Sequence, residues 1–203
     1  MTTGDDSDTA ARREYAAFEE RLAALRNPQA FPFTVSGPIE VVQTHASAVL
    51  LAGDRAYKLK KPNDFGFFNY STPSLRRRFC SLEARLNRRL APGVYLGVAP
   101  VLADEQGRVS FGPELAPDDA PEPGDAFAGQ RVVDYAVVMT RLPEEATLAA
   151  QVRSGQASAA LLERIARQVA AFHAGAETNE RIATFGGIAV ITGNWDENFE
   201  QMR

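Results

Sequence analysis

The hydrophobic pattern changes period several times along the chain, and each change predicts an element. Tyr15, Phe18, Leu22 and Leu25 recur at three- and four-residue spacing, so residues 10–26 are predicted to form a helix stopped by Asn27-Pro28. Residues 1–8, MTTGDDSD, read as a disordered tip. Residues 39–61 predict a β-hairpin or two adjacent strands. The segments are IEVVQTHASAVLLA and RAYKLKK, joined at Gly53-Asp54 and ended by Pro62. The aromatic run DFGFFNYST follows, and its Phe65, Phe67, Phe68 and Tyr70 are expected to cap a core in preference to gripping a ligand. Residues 74–90 predict the clearest helix, with Ser74 as N-cap. Leu75, Phe79, Leu82, Leu86 and Leu90 form its expected apolar stripe, and Pro92-Gly93 end it.

VYLGVAPVLAD and DYAVVMTRLP (134–143) predict further strands. Between them, residues 109–130 hold Glu114, Asp118, Asp119, Glu122 and Asp125 and no basic residue, which predicts a solvated loop or flap. Beyond residue 143 the pattern becomes helical. Residues 158–174 carry Leu161, Leu162, Ile165, Val169 and Phe172 on one side, and NWDENFEQMR (194–203) reads as the start of another helix. No internal repeat is present. The order predicts an α+β chain, a small sheet-based lobe followed by an unfinished helical region.

Composition narrows the picture. A chain of 203 residues, 45% hydrophobic and 24% charged, suits one globular domain and a fraction. The net charge of −4 argues against nucleic acid as a partner. A single cysteine, Cys80, excludes an internal disulfide and a thiolate-rich metal site, and two histidines, His45 and His173, argue against a multi-histidine one. No run of 18 apolar residues predicts a membrane span, and the acidic start is unlike a secretory signal, so the cytoplasm is expected. Of 22 basic residues only three are lysines, and Lys58, Lys60 and Lys61 all fall within YKLKK.

That cluster is the candidate chemistry. Lys58 and Lys60 lie two apart on a predicted strand and so share a face. A strand lysine facing a cleft suits a phosphate, because its ammonium is a compact point charge. Glu83 is the one acid in the 74–90 helix, among Arg76, Arg77, Arg78, Arg85, Arg88 and Arg89. On a helical wheel it sits about 40° from Phe79 and about 20° from Leu90, at the border of the apolar stripe. It is a candidate partner for a strand lysine, and a local salt bridge to arginine is the competing reading. The arginines occupy the polar side, as a phosphate-binding face or as a solvated one.

The run THASAVLLAGDRAYKLKKPNDFGFFNYSTPSLRRRFCSLEARLNRRLAPGVYLGVAPV, continued by DYAVVMTRLP, IARQVAAFHAG and NWDENFEQ, resembles a bacterial family of uncharacterised aminoglycoside-phosphotransferase-like proteins. In that family a kinase-like domain is often fused to a C-terminal P-loop ATPase domain. The resemblance spans about residues 35–203. It implies a protein-kinase-like small lobe with an antiparallel sheet and a helix, followed by the first helices of an incomplete large lobe. Lys58 or Lys60 would be the lysine that pairs the α/β-phosphates of ATP, with Glu83 as its helix partner. Covering of the phosphates at Thr44–Ala48, which lacks a glycine-rich pattern, would rest on backbone and on Ser47. Met139, Thr140, Arg141 and Leu142 would form the hinge whose backbone reads the adenine edge. His173 matches a recurrent helix ending and is expected to be a packed core histidine.

The departures from the family pattern matter as much. Phosphoryl transfer needs a carboxylate for the acceptor hydroxyl and ligands for Mg²⁺, supplied in related proteins by a His-x-Asp…Asn loop and a later Asp. His173 is followed by Ala-Gly-Ala, and no GxxxxGK[ST] loop is present. The resemblance thus implies residues 1–30 as a helical extension, 31–143 as small lobe and hinge, and 144–203 as the start of the large lobe. It implies ATP and Mg²⁺, the metal held outside this chain, and an unidentified small-molecule hydroxyl as acceptor. The chain by itself is expected to be inactive. Two other readings stay open: a non-catalytic nucleotide-binding or regulatory module, and an interaction domain using the arginine-rich helix.

Overall fold

The computed structural model describes the backbone of residues 3–202, and side chains within it from residue 8 onward. The chain divides into two compact units, Met1–Ala150 and Gln151–Arg203.

The first unit opens with helix α1 (Thr3–Ala24). The helix begins well before residue 10, so the expected disordered tip from residue 3 on is helical instead; Asp8 pairs with Arg12 one turn later, a local support that hydrophobic periodicity does not register. A single 3-10 turn, Pro28–Ala30, capped by Asn27, follows.

The 39–52 run is not one strand. It folds back on itself as β1 (Glu40–Gln43) and β2 (Ser47–Ala52), paired antiparallel. The reversal is closed by Thr44. Its N–H donates to the Ser47 carbonyl at 2.8 Å, and its hydroxyl accepts from the Ser47 N–H at 3.1 Å. Strand β3 (Arg55–Lys60) returns through Gly53, whose φ of 59° suits a residue without a Cβ.

Helix α2 (Pro73–Arg88) is capped by Thr72, not Ser74. The Thr72 hydroxyl accepts from the Leu75 N–H at 3.3 Å, and Pro73 takes the first position, where no N–H is needed. Its buried residues are Arg76, Cys80 and Ala84, while Leu86 is 47% and Leu90 40% exposed. The leucine stripe is therefore displaced from the buried face. Small residues let the helix approach the sheet, and a buried carboxylate, Asp134, makes room for Arg76.

The remaining strands are β4 (Tyr95–Ala103), β5 (Val109–Phe111), β6 (Ala126–Phe127) and β7 (Gln130–Thr140). The sheet runs β1-β2-β3-β7-β4-β5 with β6 added on β7, and all pairs are antiparallel. The period-two alternation divides its side chains between two cores. Phe18 and Leu22 of α1, with Leu25 and Phe31, pack on Leu50, Tyr57, Leu59, Val101 and Val138. On the other face Cys80 and Ala84 of α2 pack with Val98, Leu102, Tyr135 and Val137.

The acidic 109–130 segment is not a free loop. Beyond β5 and β6 it is strapped along α2. Arg77 donates to the Ala120 carbonyl and pairs with Glu122, both at 2.8 Å, and Ser81 donates to the Pro117 carbonyl. Tyr135 donates to the Pro121 carbonyl at 2.7 Å. Arg77 and Arg85 of α2 thus face Glu122 and Asp118, acids that sequence distance had separated. The aromatic run also departs from expectation: Phe65 is 47% and Phe67 78% exposed, so neither caps a core. Their rings meet each other and Phe68, and only Phe68 and Tyr70 are half-buried.

Helix α3 (Leu148–Arg153) crosses the division between the units. The second unit holds α4 (Ala159–Ala174), α5 (Glu180–Phe185) and α6 (Ile188–Gln201). Ser158 caps α4, accepting from the Leu161 N–H at 3.1 Å. Helices α3 and α5, six residues each, are too short for periodicity to reveal, and α6 starts at Ile188 instead of residue 194. None of the unit's described residues is buried; Phe185, Ile188, Trp195 and Phe199 are all at least 60% exposed. His173 is exposed as well, not packed in a core. Among the described residues, no helix is long and apolar enough to cross a membrane.

Candidate functional site

The alternation that sends Tyr57 and Leu59 toward α1 sends Lys58 and Lys60 toward α2. Glu83 lies on α2 one residue before buried Ala84 and meets both. Lys58 Nζ donates to Glu83 Oε1 at 2.8 Å, and Lys60 Nζ donates to Oε2 at 2.6 Å. The three side chains differ in burial: 30% exposed for Lys58, 15% for Glu83 and 4% for Lys60. Two ammonium groups share one carboxylate, which leaves one positive charge over.

Burial alone would raise the Glu83 pKa. The Lys60 charge and the hydrogen bonds from both lysines outweigh it and hold the carboxyl below its usual range. For Lys60, burial alone would lower the pKa, but the neighbouring Cys80 and Glu83 outweigh it and raise it. Cys80 itself is pushed up to about 12 by burial, so at neutral pH it is a thiol and Glu83 is the counter-ion that acts.

Two residues not singled out from the sequence complete the cluster. The Lys60 ammonium sits 4.8 Å from the centre of the Tyr70 ring, a cation–π contact. Tyr70 stacks on Phe68 at 4.6 Å and meets Phe79 of α2 edge-on at 5.1 Å. Cys80 lies beneath, fully buried, with its Sγ toward the Tyr135 carbonyl. The signal for Tyr70 was present in the aromatic run, but four rings in a row do not say which one turns inward.

The other candidates divide. Ser47 is paired with Lys60 and Val137 with Lys58, so Ser47, Met139 and the lysines share one sheet face. Ser47 is only 4% exposed, and both its N–H and that of Thr44 are used inside the turn. Those two N–H groups are thus committed to closing the reversal. In the expected hinge segment, the Thr140 N–H donates to the Val94 carbonyl at 2.9 Å and the Arg141 N–H to the Asp54 carbonyl at 2.8 Å. The Arg141 guanidinium turns to Glu40 of β1 at 2.8 Å. The sheet thus occupies the donors of Thr140 and Arg141, while Leu142, past the strand end, is 56% exposed.

A second charged cluster ties the elements together. Arg76, fully buried, donates to Asp134 Oδ1 at 2.7 Å, to Glu14 of α1 at 2.7 Å and to the Tyr70 carbonyl at 3.0 Å. Arg21 of α1 pairs with Glu14 at 3.0 Å and approaches Asp134 Oδ2 at 3.2 Å, without hydrogen-bond geometry at that oxygen. The sequence reading put Arg76 on a polar helix face; a carboxylate 58 residues away is what buries it. A cavity of about 540 Å³ lies elsewhere, between the end of α1 and β5. Its charged residues, Asp104 and Arg108, are bonded to each other, so the lysine cluster is the better candidate. Among the described residues no group of three or more His, Cys, Asp or Glu side chains converges on a metal position.

No family model matches the chain, and no solved structure matches it. It is similar to the uncharacterized protein Rv2004c of Mycobacterium tuberculosis (strain ATCC 25618 / H37Rv), 35% identical over 174 residues, which is 86% of this chain and 30% of that protein. The uncharacterized protein Mb2027c of Mycobacterium bovis is similar to the same extent, 35% identical over 174 residues, again 86% of this chain and 30% of the relative. The chain therefore spans about 30% of the length of these curated relatives.

Proposed function

We propose that the Met1–Ala150 unit contains, over residues 31–143, the kinase-like small lobe and hinge of an aminoglycoside-phosphotransferase-like protein, and that Lys58 binds the phosphates of ATP. The observation that carries this reading is the bond from a lysine on a central antiparallel strand to a carboxylate on the helix packed against that strand, Lys58 to Glu83 at 2.8 Å. Phosphoryl transfer relies on such a pair to hold the α/β-phosphates. The placement of Met139 two residues past Val137, the strand neighbour of Lys58, supports a hinge at the same face. In this reading the nucleotide is bound here, while Mg²⁺ and the acceptor, a small-molecule hydroxyl, are handled by groups outside these 203 residues. The proposed compartment is the cytoplasm, where ATP is available. An interaction role for the arginine-rich helix is less well supported, since Arg76, Arg77 and Arg85 face Asp134, Glu122 and Asp118.

Calorimetric titration of the chain with ATP tests the reading. Wild type is expected to bind, and Lys58→Ala to weaken binding by about tenfold or more, the scale of one charge-assisted bond. Equal affinity in the two proteins would remove Lys58 from the phosphates.

A further inference from the structure

The two lysines that share Glu83 are not equivalent. Lys60 is 4% exposed, its ammonium held between Glu83 Oε2 and the face of Tyr70. Tyr70 is itself fixed by Phe68 and Phe79. Lys58 is 30% exposed, and among the described residues its ammonium bonds to Glu83 Oε1. Consider the cluster without Lys60. Glu83 and Lys58 would then neutralise each other, and an arriving anion would meet a carboxylate as close as the ammonium. With Lys60 present, Glu83 is already compensated, and the unit of positive charge left over is displayed by the one ammonium that reaches solvent.

We infer that Lys60 is a fixed, non-ligand counter-ion that neutralises Glu83, so that the charge of Lys58 is available to a phosphate-type anion. Lys60 is thus a positioning residue and Lys58 the ligand. The inference rests on the nucleotide reading of this site and divides the labour within it. It also explains why two lysines occur on one strand face where one would serve as ligand. The buried Lys60 lies behind Glu83 and supplies charge, not a contact.

The test uses the 203-residue chain, with ATP and inorganic triphosphate as probes, by calorimetry at fixed ionic strength. Four variants are compared with wild type: Lys58→Ala, Lys60→Met, Lys60→Arg, and Lys60→Met combined with Glu83→Gln. Lys60→Met is expected to weaken both probes by about tenfold, the scale of one nearby charge at intermediate dielectric. The double variant removes one charge of each sign and restores the original net charge. Its affinity is expected to exceed that of Lys60→Met by about threefold or more, because the uncompensated carboxylate charge is gone even though Lys58 has lost its ionic partner. Lys60→Arg, which keeps the charge, is likewise expected to bind both probes more tightly than Lys60→Met. Melting temperatures follow in parallel to separate folding from binding. Wild-type affinity in folded Lys60→Met would overturn the inference and leave the nucleotide reading standing. A double variant as weak as Lys60→Met, although folded, would overturn it too, since a purely structural lysine is not rescued by removing a carboxylate's charge. Unchanged affinity in Lys58→Ala, or no binding by wild type, would sink the nucleotide reading itself and this inference with it.

Discussion

Glu83 shows how much one side chain on α2 is asked to do. It accepts from two lysines 25 and 23 residues earlier in the chain, and its carboxyl is held below the usual range by them. A carboxylate depressed in the folded state stabilises that state above its unfolded pKa, about 4.3, and the gain is lost as pH falls through the lower folded value. Lys60, raised above about 10.4, works in the opposite direction, contributing in full below that value and losing it only as pH rises through the higher folded one. Between those limits Glu83 and Lys60 keep their charges. Urea unfolding of wild type and Glu83→Gln at pH 6 and pH 3 reads the acid limb. Wild type is expected to lose more stability over that interval than the variant. Parallel losses would mean that Glu83 is not titrating as the geometry requires.

At the scale of elements, the link between α1 and α2 is electrostatic as well as apolar. Phe18 and Leu22 bury α1 against one sheet face, and Glu14 reaches Arg76 of α2 at the edge. Arg76 in turn holds Asp134 at the start of the apolar part of β7 and the carbonyl of Tyr70, whose ring lies on Lys60. The helix that positions Glu83 is thus held at its first turns by a buried guanidinium. Arg76→Met would leave Asp134, 0% exposed, with a charge and without its main donor. Breaking one side of such a buried pair costs about 3–5 kcal/mol. Chemical denaturation is expected to show a loss of that size in Arg76→Met, largely recovered when Asp134→Asn is added. A loss below about 1 kcal/mol would place the pair among surface-like ion pairs.

At the scale of the whole chain, the two units differ in kind. The first has a sheet with an apolar core on each face. The second, Gln151–Arg203, has helices of which α4 and α5 are capped by Ser158 and Asn179, and no buried residue among those described. Helices of this length draw most of their stability from packing an apolar face, so their backbone hydrogen bonds should open readily where none is buried. Hydrogen exchange of the 203-residue chain is expected to protect the amides of β3, β4 and β7 by orders of magnitude more than those of α4 and α6. Equal protection in both units would mean that the helices are packed in solution.

These scales also separate what was legible in the sequence from what was not. Local signals determined several element ends. Asn27-Pro28 and Gly53-Asp54 each act within a few residues, through backbone conformation or a single hydrogen bond, and they read correctly, whereas the N-cap of α2 is Thr72 and not Ser74. Strand alternation determined that Lys58 and Lys60 share a face, because the pleat has a period of two in any context. The short turn at Thr44, closed by its own hydroxyl, hid inside an apolar run that looks like one long strand. Tertiary structure alone decided which side of α2 is buried. The leucine stripe has the stronger hydrophobic signal, but Arg76, Cys80 and Ala84 go inward because Asp134 neutralises the first and the small size of the others allows close approach. It alone decided that the acidic 109–130 segment lies on the arginines of α2, and that one carboxylate serves two lysines. Charge compensation between residues tens of positions apart has no period and no spacing: helix position and the family resemblance could offer Glu83 as a partner for one strand lysine, but only the folded chain shows that it takes both.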